Sequence, residues 1–177
     1  MDIKKKDFLF ISKASLAAFG AYFCMYAFRK PFSVATFEGI QAFGIDYKIL
    51  LIIAQVLGYM ISKFIGIKVI SELQQEQRLF YLLGLIGVSE IALLLFGLVP
   101  EPYHILCMFF NGLPLGMIWG IVFSYLEGRK YTEILGVVLC TSFIISSGVV
   151  KSVGLWVMIS WDVSQFWMPA VTGALFI

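Results

Sequence analysis

Charge is what this chain has least of. Only 14% of its 177 residues are Asp, Glu, Lys or Arg, 60% are hydrophobic, and the mean hydropathy is +0.93. Soluble domains carry about 25% charged and 45–50% apolar residues. A soluble domain is therefore excluded, and an all-α integral membrane protein is expected. Histidine is almost as scarce. His104 stands alone beside "PEPY", so there is no His–carboxylate cluster, no HExxH motif and no Ser or Cys nucleophile paired with a histidine base. Neither an enzyme, a cofactor, a metal nor a nucleic-acid partner is expected, and His104 reads as structural. The three cysteines, Cys24, Cys107 and Cys140, lie in apolar segments without CxxC spacing. They read as small buried hydrophobes rather than a disulfide framework or a zinc site.

What is abundant is long apolar sequence. A helix needs ~20 apolar residues to cross ~30 Å of hydrocarbon. Five stretches satisfy this, at about 8–37, 47–70, 79–99, 103–126 and 134–159, and a sixth begins near Ser164 in "SQFWMPAVTGALFI". The single transmembrane domain over 1–177 thus reads as six helices, the sixth (164–177) incomplete. "MDIKKKDFLFISK" resembles the basic start of a signal peptide, but the following apolar run is too long for a cleaved segment. It is expected to open the first membrane helix.

The short connections differ in sign. Lys4, Lys5 and Lys6 precede helix 1, Lys68 and Arg78 flank the 2–3 loop "SELQQEQR", and Arg129 and Lys130 fill the 4–5 loop. The alternate loops hold Glu38, Asp46, Glu101 and Asp162, with Lys48 the one basic residue on that side. Lysine and arginine collect at cytoplasmic helix ends, so a cytoplasmic N-terminus and a multi-pass protein of the inner membrane are expected. Trp156, Trp161 and Trp167 around the 5–6 connection read as outer interfacial anchors.

Five ionisable residues fall inside the spans: Arg29, Lys30, Lys63, Glu90 and Lys151. A charge at the bilayer centre costs about 2.5–3.5 kcal/mol or more on insertion scales. Snorkelling to the headgroups suits Lys13 and partly Lys63, but not Arg29, Lys151 or Glu90. Glu90 can neutralise only one of four cations, and the surplus calls for an anion. Tyr22, Tyr26 and Arg29 share one helical face at i, i+4, i+7, and Gln55, Tyr59 and Lys63 share another at i, i+4, i+8. A guanidinium matches phosphate or carboxylate oxygens two at a time, an ammonium adds charge, and phenols donate hydrogen bonds. In helix 4, Gly112, Gly116 and Gly120 repeat at i, i+4, i+8 and predict close helix packing. Pro31 and Pro114 are expected to kink their helices. Helix 5 is hydroxyl-rich around "CTSFIISSGVVK", where Ser147 lies one turn before Lys151.

"YFCMYAFRKPFSVA", "GYMISKFIG", "GLPLGMIWG" and "FWMPAV", in that order, resemble the N-terminal half of the major facilitator superfamily, nearest the organophosphate:phosphate antiporters. The resemblance implies a six-helix half of a twelve-helix bundle, with a C-terminal six-helix half as partner and substrate at the midplane between them. It implies that Arg29 grips phosphate beside Lys30, that Tyr22, Tyr26, Tyr59 and Lys63 line the pocket, and that Trp119 matches a helix-4 tryptophan. There are departures. "GIKVISELQQEQR" lacks the usual Gly followed by Asp-Arg, and the family's helix-5 histidine falls near Ser142, with Lys151 further along.

The expected function is secondary transport of a small anionic, phosphorylated solute by alternating access. Arg29, Lys30, Tyr22, Tyr26, Tyr59 and Lys63 are the expected substrate contacts. Gln55, Glu90, Trp119, Ser142 and Lys151 are candidates for pocket or charge-pairing roles, with Glu90 expected to hold a lysine in the empty carrier. The alternatives are a membrane sensor that binds a phosphorylated solute without moving it, and a complete structural six-helix protein whose cations meet lipid phosphates.

Overall fold

A computed structural model describes residues 5–127 and 131–177. Lys4, Arg129 and Lys130, three of the expected orienting cations, lie outside the described residues, as do the side chains of Lys5 and Lys6. The chain runs through α1 (Lys5–Ala27), a 3-10 turn (Pro31–Val34), and a small antiparallel hairpin of β1 (Gln41–Ala42) and β2 (Ile45–Asp46). Then come α2 (Tyr47–Glu72), α3 (Gln75–Leu98), α4 (His104–Ser124), α5 (Thr132–Ser160) and α6 (Met168–Ala174). Among the described residues, α2, α3, α4 and α5 are long and apolar enough to cross a bilayer by length and composition. The protein is an all-helical, multi-pass membrane protein.

Three boundaries differ from expectation. The first helix was expected to reach about residue 37, but α1 stops at Ala27. Pro31 has no N–H to give, and its ring crowds the carbonyl four residues back, so the helix ends there instead of merely kinking. The "SELQQEQR" loop is mostly helix: Glu72 ends α2, Gln75 starts α3, and only Leu73 and Gln74 join them in extended conformation. Glutamate and glutamine are good helix formers, so polarity alone did not mark a loop. Ser164 opens a turn instead of a helix; its carbonyl accepts from the amides of Trp167 and Met168, and α6 starts after it. The β1–β2 turn was not foreseen. Phe43 and Gly44 both have positive φ (56° and 73°), the geometry of a two-residue primed turn, but "FG" lacks the usual Asn-Gly or Asp-Gly signal.

Helix α4 is the keel. It packs against α2 on one side and α3 on the other, while α1 packs mainly on α5 and α6 fits between α3 and α5. The α2–α4 seam is built from glycine. A Cβ on Gly112 would run into the Gln55 carbonyl, one on Gly116 into the Tyr59 carbonyl and Ser62, and one on Gly58 into the Phe109 carbonyl. Two backbones in direct contact gain dispersion energy that bulkier interfaces forfeit, which is how helices associate where lipid removes the hydrophobic drive. The tight packing read from "GLPLGMIWG" is therefore what the helices do. Away from these seams α2 shows Val56, Met60 and Phe64 to the outside, and α5 shows Ile144 and Leu155. Exposed apolar faces of this extent fit hydrocarbon as their solvent.

Candidate functional site

The break in α1 puts two cations deep in the bundle. Arg29 and Lys30 follow the last helical turn, and the Arg29 guanidinium lies over Tyr59, the thirteenth of the 26 residues of α2. At 1.5 Å per residue Tyr59 is about 18 Å along α2 from its start at Tyr47. A chain leaving helix at that depth exposes carbonyls that need partners, and those of Tyr26, Arg29 and Lys30 have them. Tyr26 O accepts from the amides of Arg29 and Lys30. Arg29 O accepts from Gln55 Nε2 at 3.2 Å, and Lys30 O from the amide and hydroxyl of Ser33.

Around this break the aromatic and cationic residues converge. The Arg29 Cζ is 4.2 Å from the Tyr59 ring centre and 5.9 Å from that of Tyr26. The Lys63 Nζ is 4.9 Å from the same Tyr59 ring and 5.9 Å from Trp119, which stacks on Phe123. Tyr22 is buried between Tyr26 (5.6 Å) and Phe143 (4.5 Å), and its phenol approaches that of Tyr59. Lys30 lies within electrostatic reach of Arg29 and Lys151. Residues from α1, α2, α4 and α5 are thus brought together, including all six expected substrate contacts plus Trp119 and Lys151. Cation–π contacts of this kind contribute about 0.5–2 kcal/mol each, and they orient a cation without neutralising it. Among the described residues Arg29 has ring contacts and no carboxylate partner.

Below the rings the site continues as a groove of about 550 Å³ between α2 and α4, with Lys63, Trp119, Ser71, Arg78 and Glu127 in its wall. Arg78, from the first turn of α3, donates to the Ser124 carbonyl at 3.1 Å and lies 5.7 Å from the Tyr125 ring. It caps the negative end of α4, a structural duty beyond the orienting role read from sequence.

Other candidates have different tasks. Gln55 is buried and spends both of its Nε2 donations on structure, to Arg29 O and to Asn111 Oδ1 at 2.8 Å. Asn111 in turn donates to Ser89 Oγ (2.7 Å) and Ser89 O (3.3 Å), closing a buried chain from the α1 break through α2 and α4 to α3. Asn111 and Ser89 were not singled out from sequence, although an asparagine in the middle of an apolar helix is itself a signal. Ser142 donates across to Phe19 O at 2.9 Å and so ties α5 to α1 instead of lining a pocket. His104 is structural, as expected: its Nδ1 shares a 2.7 Å hydrogen bond with the Tyr47 hydroxyl, and its ring stacks on Phe166.

Glu90 requires a correction. It was expected to hold a lysine, but among the described residues no cation acts on it and its buried Oε2 has no hydrogen-bond partner. The reason is direction: it faces Gly173 of α6 and the Phe28 ring, not the cationic side of the α1 break.

No curated protein and no solved structure matches the chain. A family model does match, over residues 31–177, a span holding α2 to α6 with Tyr59, Lys63, Trp119 and Lys151, whereas Tyr22, Tyr26, Arg29 and Lys30 precede it. The chain belongs to that family, described as a family of unknown function (DUF5690).

Proposed function

We propose that this protein carries a small anionic, phosphate-bearing solute across a membrane by alternating access, as a half-bundle of major facilitator type. The supporting observation is the Arg29 guanidinium, fixed between Tyr26 and Tyr59 without an acid partner among the described residues and beside Lys30 and Lys151. Three cations drawn together in a medium of low dielectric repel one another. An anion removes that repulsion and gains charge-assisted hydrogen bonds from a guanidinium fork. Three carbonyls at the α1 break that would otherwise repel an anion, those of Arg29, Lys30 and Tyr26, are already occupied by Gln55, Ser33 and the last-turn amides. The phenols of Tyr26 and Tyr59 and the ammonium of Lys63 complete a set of donors suited to phosphate oxygens. A break near mid-bundle is also where secondary transporters place their binding sites. The reading includes an N-terminus on the cytoplasmic side, a second six-helix half across the site, and no chemical change to the solute.

The test uses the full-length protein in proteoliposomes loaded with inorganic phosphate, following exchange of labelled phosphate from outside. Exchange in wild type that falls at least tenfold in Arg29→Gln is the expected result. Arg29→Lys restores little, because an ammonium lacks the planar fork. Phosphate binding without exchange points to a sensor instead of a carrier. Neither binding nor exchange, with mutant and wild type alike, overturns the anion reading for phosphate.

A further inference from the structure

We infer that Glu90 is a proton-binding site linked to occupancy of the anion site at Arg29. The inference rests on the anion reading above and adds the coupling ion to it.

Glu90 lies on α3 with 8% of its surface exposed, and Oε2 is shut off from both water and protein donors. Every other acidic side chain described, from Glu38 to Asp162, is exposed. The groups that close over Glu90 carry no charge. Gly173 of α6 comes so near that a Cβ there would collide with Oε2, and the Phe28 ring packs beside the same glycine from the α1 break. From α4, Asn111 reaches only the preceding residue, Ser89. No charged side chain acts on Glu90 from α3, α4, α6 or the break among the described residues. An oxygen in such a place, unpaired and shut off from water, bears a negative charge only at high cost. Intramembrane carboxylates of this kind serve as proton relays.

Two physical links join this carboxyl to the anion site. Phe28, whose ring packs beside the glycine that touches Oε2, is the residue before Arg29. The buried chain Arg29 O–Gln55–Asn111–Ser89 ends on the residue before Glu90. The electrostatic direction is fixed as well. A negative ligand near the break disfavours ionisation of Glu90, so anion and proton are held together. The bond formed is O–H on the Glu90 carboxyl; the proton comes from solvent and returns to it, with no change of oxidation state.

Two measurements on the purified full-length chain test this. Infrared spectra titrated with pH should show one protonated carboxyl persisting at neutral pH, absent in Glu90→Gln; no such band in wild type overturns the site even if the variant misfolds. Phosphate affinity, measured in wild type and Glu90→Gln at each pH, should give a ratio that falls as pH rises, by up to about tenfold per pH unit. Taking the ratio cancels the ionisation of phosphate itself. A ratio that is constant, or that rises, overturns the linkage. If wild type binds no phosphate at any pH, the linkage falls together with the anion reading, and the infrared band alone then upholds or overturns the proton site.

Discussion

The seam between α2 and α4 and the seam between α1 and α5 both join two helices, yet they are made in opposite ways. In the first, Gly58, Gly112 and Gly116 press backbone on backbone, and the polar residues Gln55 and Asn111 bond each other. In the second, no glycine brings the backbones together: Gly20 on α1 and the exposed Gly148 on α5 have no neighbour within 4 Å of where a Cβ would stand. That seam is filled with rings such as Tyr22 and Phe143, and it carries the broken helix and the unpaired cations. The lesson concerns where a membrane protein keeps its polarity. Polar groups with partners lock a frame, and polar groups without them are left for something that arrives.

The sharpest way to break this comparison is to add one side chain to each helix pair, inside the glycine seam of the first and on open α5 surface of the second. Gly112→Val drives atoms into the Gln55 carbonyl and should destabilise the bundle by about 3 kcal/mol. It is read as a large loss of folded protein in thermal unfolding in detergent, whereas Gly148→Ala should leave the midpoint unchanged or raise it. Comparable losses from both would erase the distinction. Next in size is Asn111→Leu, which orphans the Gln55 amide and the Ser89 hydroxyl and should cost about 1–3 kcal/mol. The double variant Asn111→Leu with Gln55→Leu should recover part of that loss, a non-additivity that the same unfolding measurement detects. Smallest is Lys63→Ala. Lys63 is exposed and its ring contacts are worth less than about 1 kcal/mol, so stability should hardly change. Binding of inorganic phosphate, followed by its stabilising effect on unfolding, should nonetheless weaken severalfold.

The helices of the frame were legible because hydrophobic length and small-residue spacing are local properties. Gly112 and Gly116 could be read as a packing stripe before any partner helix was known. The convergence of Tyr22, Tyr26, Arg29, Tyr59, Lys63 and Trp119 followed from helical faces and the resemblance together. What could not be read was direction around the helix axis. Glu90 and Lys151 look alike in sequence as buried charges, but only Lys151 turns towards the cations, while Glu90 turns to α6. Ser142 looked like a pocket hydroxyl, and its partner, the Phe19 carbonyl, is 123 residues away in the chain. Pro31 was read as a kink, but α1 ends before it, and Gln55 and Ser33 bond the carbonyls of Arg29 and Lys30 in the turn that follows.

The position of Asn111 also sets an order of assembly. Helices α2 and α3 are joined by two residues yet pack chiefly on α4, and Gln55 and Ser89 find their side-chain partner only there. A chain inserted from its N-terminus brings both residues into the bilayer before Asn111 has been synthesised. For that interval the pair stays loosely tethered, and the arrival of a single amide turns it into a three-helix unit, which makes α4 the step at which biogenesis commits.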